Sequence, residues 1–250
     1  LTRLVGSEMC IRDSLYRAGQ DIRHVLSRDE RSAAYMADGY ARVTGKVGVC
    51  EGPSGGGATY ILPGVVEANE SSVPVFAITS DISTTGRGRF TLTELDQQAM
   101  FKPLTKFNAT AHSAQILPGQ VREAFRQMTT GRPGAAHLCL PLDVQNQPVE
   151  TDLVYGDASL GVYPARPQGP DPAAIEEAAA ILKAANFPIF VCGGGVVIAG
   201  GEDALIAAAE ALDAPVCTTI SGQGSIGDDH PLAVGVVGSN GGTMPTREIV

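Results

Sequence analysis

The sequence lacks tryptophan, and no apolar run in it approaches the roughly 20 residues that a membrane-spanning helix requires. Basic residues are in the minority, with 18 Lys and Arg against 27 Asp and Glu. The resulting net charge of −9 argues against an electrostatic surface for nucleic acid. We therefore expect a soluble, cytoplasmic protein with neither a membrane nor a nucleic acid as its partner.

The sequence also lacks the spacing of cysteines and histidines that is typical of a metal site. The five cysteines and four histidines form no C-x-x-C or H-x-x-x-H pattern, so we expect no metal site built within this chain. Cys50, Cys139, Cys192 and Cys217 lie in or beside apolar, strand-like segments. Buried, reduced thiols are their expected state.

A glycine-rich turn at residues 52–57 reads GPSGGG and lacks the motifs of two common enzyme classes. It has no Lys followed by Ser or Thr, which excludes a P-loop. Ser54 does not lie in G-x-S-x-G, so the turn does not indicate the nucleophile elbow of a serine hydrolase. A second run, residues 193–195, is either a tight strand-to-helix turn or part of a cofactor site.

The stretch that precedes the glycine turn combines an acidic residue with a small-faced helix. Glu30 stands at the predicted helix start, and Ala33, Ala37, Tyr40 and Ala41 recur at the spacing of one face that could press onto a sheet. Glu30 has two interpretations. It could complete a capping box with Ser27, or it could be a functional carboxylate.

Strands and helices alternate along the chain. In the first part, strands are predicted at 21–26, 47–50, 73–79, 105–111 and 134–141, helices at 30–42, 59–69, 91–102 and 118–130, and a loop at 80–90. This order predicts an α/β fold: a doubly wound, mostly parallel sheet over residues 15–146. Residues 1–14 have no helix or strand periodicity and resemble a translated sequencing adapter, so we expect a non-native tail there.

A proline-rich linker is predicted at residues 147–170, followed by an incomplete second α/β domain of the Rossmann-like kind at 171–250. In that domain we expect helices at 173–185 and 202–212 and strands at 188–192 and 215–219, with Asp171 as the N-cap of the first helix. The β-α pattern is still running at residue 250, so the chain is expected to be a fragment.

Several segments together resemble a known family. Residues 28–33 (RDERSA), 36–50 and 54–59 (SGGGAT) resemble the pyrimidine-binding domain of thiamine-diphosphate enzymes, and above all the large subunits of acetolactate synthase. The similarity continues through 73–79, 104–106 and 140–145, and residues 188–250 resemble the family's central domain.

The resemblance implies a chemistry and a set of site residues. Glu30 would be the catalytic residue, hydrogen-bonded to the cofactor's aminopyrimidine ring, in the decarboxylation or carboligation of a 2-oxo acid. The cofactor-binding residues would be Glu30, Pro53, Ser54, Gly55, Gly56 and Thr59. The family holds Mg²⁺ through a third domain that this chain lacks, so the fragment is expected to be inactive alone. FAD could bind the central domain, and the complete enzyme would be a homodimer or homotetramer.

Departures from the family leave the substrate open. Thr93 stands where the family has a substrate-side glutamine, with Gln97 or Gln98 as a possible substitute, and Tyr60 replaces an asparagine. The G-R-G-R run at 86–89 is either a solvated loop or a group of arginines that meet a carboxylate or phosphate. An acyl-CoA decarboxylase of the oxalyl type, another 2-oxo acid decarboxylase and a non-catalytic binding module remain as alternatives.

Overall fold

The structure is a computed structural model that describes residues 22–149, 156–238, 242 and 244–249. The expected tail at 1–14 lies outside these residues, and so does Asp21 of the first predicted strand. The chain divides into two compact units between residues 166 and 167.

The first unit is an α/β domain, as the sequence predicts. Its elements, in order, are α1 (Glu30–Thr44), β1 (Gly48–Gly52), α2 (Gly56–Tyr60), α3 (Leu62–Glu70), β2 (Val75–Asp81), α4 (Gln97–Phe101), β3 (Phe107–Thr110), α5 (Leu117–Thr129), β4 (Ala136–Pro141) and α6 (Leu142–Gln145). Its four strands pair in parallel in the order β1-β2-β4-β3.

Both faces of this sheet are covered, which explains the continuous apolar run of β2. One core joins Val75 and Ala77 of β2 to alanines of α1 and to Ile61 and Val65. The other core joins Phe76 to Leu138 and to side chains of α5. The doubly wound arrangement is therefore confirmed.

Helix α1 packs closely against both the sheet and α3, because the residues at the contacts are very small. A Cβ atom at Gly64 would lie 2.6 Å from Ala34 Cβ, so only glycine allows α1 and α3 to come this close. The buried face consists of Ala34, Ala37, Asp38 and Ala41. The prediction that Tyr40 belongs to this face is wrong, because Tyr40 is 50% exposed.

Three predicted elements differ from the observed ones. The described part of 21–26 is not a strand, and its apolar side chains are exposed (Leu26, 77%). The predicted helix at 91–102 is only α4, because Thr93 has a positive φ of 71° and Asp96 caps the helix that follows. The helix at 59–69 is two helices, α2 and α3, with Pro63 tolerated in the first turn of α3.

Residues 156–166, part of the predicted linker, pack on the first unit. Val162 forms an isolated antiparallel bridge with Lys46, and Val47 N–H donates to Gly161 O at 3.2 Å. The Tyr163 hydroxyl donates to Ala41 O at the end of α1. This part of the segment therefore packs on the end of α1 and on the residues that lead into β1.

The second unit is a smaller α/β structure. Its elements are α7 (Pro172–Ala184), β5 (Phe190–Cys192), α8 (Gly194–Ala199), α9 (Glu202–Leu212), β6 (Val216–Thr218), β7 (Ala233–Val236) and α10 (Met244–Ile249). The strands pair in parallel in the order β5-β6-β7. Asp171 caps α7, as the sequence suggests, but no residue of α7 is buried.

The four cysteines at 50, 139, 192 and 217 are free and buried, which confirms the expectation for them. Over the described residues, no helix is both long and apolar enough to cross a membrane.

Candidate active site

The candidate site lies at the carboxyl ends of two neighbouring parallel strands. Gly52 at the end of β1 is in register with Thr79 of β2, so the glycine turn after β1 and the loop of residues 82–96 after β2 leave the sheet at the same edge. Ligands of open α/β sheets bind at this kind of edge. Glu30 opens α1, whose last turn leads into β1.

Glu30 is not used to cap its own helix. Asp29 is the N-cap: its Oδ1 accepts from Arg31 N–H at 2.9 Å, while Ser27 donates to the backbone oxygen of Asp29. The capping-box interpretation of Ser27 and Glu30 is therefore wrong. Glu30 is partly exposed, and its carboxylate has no hydrogen bond or ion pair with another described residue.

Asp29 and Arg31 form a fixed pair beside Glu30. The Arg31 guanidinium donates to both carboxylate oxygens of Asp29, at 2.9 and 2.8 Å. These contacts lower the pKa of Asp29 to about 2. The Arg31 guanidinium carbon also lies 6.0 Å from the ring centre of Tyr60. The start of α1 therefore adjoins the end of α2, the helix that begins in the glycine turn.

The glycines of the turn have three different surroundings. A Cβ at Gly57 would lie 2.0 Å from Pro53 Cγ, so this glycine closes the turn on Pro53. Gly55 has φ 65°, and a Cβ there would lie 2.8 Å from Thr93 Cβ. At Gly56 a Cβ would meet nothing within 4 Å. Among the glycines of this turn, Gly56 is therefore the one that faces space left open by the described residues.

Two polar side chains complete the turn. Thr59 Oγ1 donates to Gly56 O at 2.6 Å and closes the first turn of α2. Ser54 Oγ lies 2.9 Å from Thr93 Oγ1, so these hydroxyls share a hydrogen bond. The structure thus brings Thr93 to the glycine turn, although 39 residues separate Ser54 and Thr93 in sequence.

Gln97, the other residue considered for the substrate, is in the interior. It is 1% exposed, and its amide nitrogen donates to Ser80 O at 2.8 Å. This contact ties the start of α4 to the end of β2. Its position favours a structural contribution over contact with a ligand.

The loop of residues 82–96 is held by carboxylates of this chain. Asp81 is fully buried and pairs with Arg87 of the G-R-G-R run, so the run meets an internal carboxylate. Asp143 accepts from Thr84 N–H at 3.0 Å. Within the loop, Glu94 accepts from Gly88 N–H at 2.6 Å. The loop is therefore more than a solvated connection.

The glycine run at 193–195 in the second unit is a strand-to-helix turn, because β5 ends at Cys192 and α8 begins at Gly194. A close approach occurs in the turn after β6. A Cβ at Gly222 would lie 2.1 Å from Cys192 O, at the end of β5. Residues 222–227 (GQGSIG) also match the G-x-G-x-x-G spacing of dinucleotide-binding turns, a match that sequence reasoning missed. They follow β6, but turns and not a helix come after them, so the structural context of that motif is absent there.

Two open cavities lie elsewhere in the first unit. One, of about 460 Å³, is polar and borders α4 and β3, and the other, of about 450 Å³, lies along α5. Glu30 and the glycine turn line neither. Within the described part of the chain, no group of three His, Cys, Asp or Glu side chains could hold a metal ion.

Comparisons with known proteins agree with this geometry. Residues 4–100 match the family profile described as thiamine pyrophosphate enzyme, N-terminal TPP binding domain. Residues 175–250 match that of the thiamine pyrophosphate enzyme central domain. The Glu30 region, the glycine turn and Thr93 all fall within the first match.

Curated relatives carry several enzyme names. A probable acetolactate synthase large subunit of Methanocaldococcus jannaschii is 38% identical over 94% of this chain. A probable 2-ketoarginine decarboxylase of Pseudomonas aeruginosa is 40% identical over 88%, and a glyoxylate carboligase of Escherichia coli O157:H7 is 36% identical over 90%. The chain spans about 40% of the length of these relatives. It belongs to the thiamine pyrophosphate enzyme family.

Proposed function

We propose that this chain supplies the aminopyrimidine-binding part of a thiamine-diphosphate-dependent enzyme that decarboxylates or carboligates a 2-oxo acid. The observation that carries the proposal is the Glu30 carboxylate at the start of α1. It does not cap the helix, because Asp29 is the N-cap, and it has no hydrogen-bond or ion-pair partner among the described residues. Bound thiamine diphosphate supplies a centre that stabilises a carbanion after the bond to the carboxyl group breaks.

Glu30 would hold the cofactor ring by a hydrogen bond and keep a proton at a ring nitrogen. A carboxylate can both accept and return a proton, which suits acid–base work of this kind. Ala33 and Ala34, in the next turn, leave no long side chain there to compete for the ring. Arg31 does not neutralise Glu30 by direct contact, because its guanidinium is engaged by Asp29.

The glycine turn would form the wall beside the ring. We assign this wall to Pro53, Ser54, Gly55, Gly56 and Thr59. Gly56 is the proposed position of closest approach, because no atom of the described residues lies within 4 Å of the place where its Cβ would be. Thr93 is retained as the substrate-side residue. Gln97 is proposed to act indirectly, through the contact that fixes Ser80.

We also propose a substrate and a reaction type, carboligation or decarboxylation. An acetolactate synthase-like reaction is favoured because relatives with that name are similar over most of this chain. The relative named 2-ketoarginine decarboxylase keeps a 2-oxo acid other than pyruvate as the second candidate. An acyl-CoA decarboxylase of the oxalyl type and a non-catalytic module are the remaining outcomes of the test.

Other components of the complete enzyme are proposed from the family. Mg²⁺ would be held outside the residues of this chain, and FAD, if used, would lie in the second unit. We place the enzyme in the cytoplasm. We also propose that the 250-residue chain alone turns over no substrate.

A second copy of the chain is the proposed partner. Met36, Tyr40 and Val43 form an outward stripe on α1 and are 49%, 50% and 87% exposed, although the other side of α1 is already buried in the core. An apolar stripe on both sides of a helix favours a second contact. Analytical ultracentrifugation of the parent protein should detect a dimer, and Val43→Glu should weaken it. A parent protein that is monomeric would refute this assembly.

The test of the function uses the complete protein that contains this chain. Calorimetry with thiamine diphosphate and Mg²⁺ should detect binding, and carbon dioxide release should be measured with pyruvate, glyoxylate, 2-ketoarginine and oxalyl-CoA. Glu30→Gln should lower turnover about 100-fold or more. Glu177→Gln, an exposed acid on α7, is the matched control.

Each outcome has a separate meaning. Absence of cofactor binding by the parent protein would refute the proposed function. Binding without carbon dioxide release from any of these compounds would favour a non-catalytic module. Unchanged turnover in Glu30→Gln would remove Glu30 from the site.

A further inference from the structure

We propose that Thr93 is a positioning residue of this site. It seats the loop of residues 82–96 on the glycine turn and orients the Ser54 hydroxyl, so that the two hydroxyls together offer one O–H to an oxygen of the substrate. The part concerning the substrate rests on the proposed function, whereas the part concerning the loop does not.

The first argument is steric complementarity. The place where a Gly55 side chain would begin is 2.8 Å from Thr93 Cβ and 3.0 Å from Thr93 Cα. Real Cβ atoms do not come so close to their neighbours, so the turn accepts Thr93 only because residue 55 is glycine. Gly55 thus receives the loop, and Gly56 remains the position open to a ligand.

The second argument is the backbone of Thr93. Its φ of 71° is in the left-handed region, where a β-branched residue is an outlier whose backbone is strained. Contacts on both sides over-determine this conformation. Glu94 accepts from Gly88 and Thr91 N–H groups, and Gln97 donates to Ser80 O. The loop therefore holds Thr93 against the turn at the expense of local strain.

The third argument is the number of protons. Ser54 and Thr93 have two hydroxyl protons, and their mutual 2.9 Å hydrogen bond uses one. Whichever hydroxyl accepts in this bond keeps its own proton free for another acceptor. Thr93 is exposed and Ser54 is partly exposed, so a small molecule can reach the pair.

The chemistry of the pair fits a 2-oxo acid. The carboxylate and the oxo group of such a molecule only accept hydrogen bonds, so a site beside them needs at least one donor. The pair supplies that donor next to the open side of Gly56. Because the loop is strained and anchored, the donor is held in place before the substrate arrives.

The first experiment uses the 250-residue chain and needs no cofactor. Amide hydrogen exchange should be compared in the parent, Thr93→Val, Thr93→Ser and Thr85→Val. Thr85 is the matched control because it shares a 2.9 Å hydroxyl–hydroxyl contact with Ser83 in the same loop, away from the glycine turn. Thr93→Val should speed exchange at residues 54–57 about tenfold, the equivalent of one lost hydrogen bond, while Thr93→Ser and Thr85→Val should leave these residues unchanged.

The second experiment uses the complete, cofactor-loaded enzyme. Thr93→Val should raise the KM for the 2-oxo acid about tenfold, with the Kd for thiamine diphosphate unchanged. Thr93→Ser should restore KM to within about threefold of the parent, since it keeps the hydroxyl. Ser54→Ala and Thr93→Val should be non-additive, because each breaks the same pair.

The outcomes separate this proposal from the proposed function. Unchanged exchange at 54–57 in Thr93→Val would overturn the positioning role. An equal loss of cofactor and substrate affinity, or additive effects of Ser54→Ala and Thr93→Val, would overturn the role toward the substrate. If the parent enzyme binds no thiamine diphosphate, the proposed function fails and the substrate part with it, and the exchange experiment still decides the role in the loop.

Discussion

Gly48 in β1 lies directly against the backbone of Ala37 in α1: a Cβ at residue 48 would be 2.0 Å from Ala37 O. The obstacle is backbone, so it cannot rotate away as a side chain could. The helix that begins with Glu30 is therefore seated on the sheet by a glycine.

Gly48→Ala is expected to destabilise the first unit by about 2 kcal/mol or more, because helix and strand must separate. Gly39→Ala on the same helix is the control: a Cβ there meets nothing within 4 Å, and replacing a helical glycine should be neutral or stabilising by up to about 1 kcal/mol. Urea denaturation measures both changes. Equal effects of the two substitutions would contradict the close packing.

Arg87→Ala should cost the first unit about 2–3 kcal/mol, because it leaves the fully buried Asp81 carboxylate without its ion-pair partner. Arg89→Ala, two residues along in the same exposed run, should change the free energy of unfolding by less than about 0.5 kcal/mol. Chemical denaturation of both variants checks this. If Arg89→Ala lost this stability and Arg87→Ala did not, Arg89 and not Arg87 would be the partner of Asp81.

Stability of the first unit should fall with acid through His137. This residue is buried in β4 and stacked on Phe101, its Nδ1 lies 2.9 Å from Asn108 Oδ1, and its Nε2 lies 2.7 Å from Thr79 Oγ1. Burial lowers the pKa of His137 from 6.5 to about 3. The unfolded chain therefore binds a proton below pH 6.5 that the folded one does not bind until about pH 3.

The expected effect is a loss of up to about 1.4 kcal/mol per pH unit between these values. His137→Gln should be less stable than the parent at pH 7 but lose this part of the pH dependence. The free energy of unfolding of parent and variant, measured from pH 7 to pH 4, tests this prediction. Parallel pH curves for parent and variant would contradict the assignment.

Cys50 and Cys139 should resist alkylation in the folded chain. Burial raises the pKa of each thiol to about 12, so the reactive thiolate is nearly absent at neutral pH. Peptide mapping after brief iodoacetamide treatment should find both cysteines unmodified, and both modified in urea. Rapid labelling without denaturant would mean that the sheet opens locally.

Much of the fold could be predicted from sequence because it depends on local patterns. The apolar run of β2 and the cap at Asp171 both predicted elements that formed. The helix expected at 91–102 does not form over its full length, because the conformation of Thr93 depends on its contact with Gly55, which is distant in sequence. The same contact gives Gly55 a structural role that the sequence did not show, since its missing side chain makes room for Thr93. The role of Gly55 toward a cofactor stays a prediction.

Helix ends were harder to predict for a similar reason. Ser27 and Glu30 fit a capping box, but Asp29 and Arg31 compete for the same first turn and form a two-oxygen contact that the spacing did not reveal. The role of Glu30 toward a cofactor stays a prediction.

The lack of any buried side chain in α7 has a consequence for handling the protein. Thirteen residues are close to the shortest length at which an isolated helix persists in water. Warming should therefore fray this helix gradually, well before either sheet melts. Limited digestion with a lysine-specific protease should accordingly cut the described part of the chain first after Lys183.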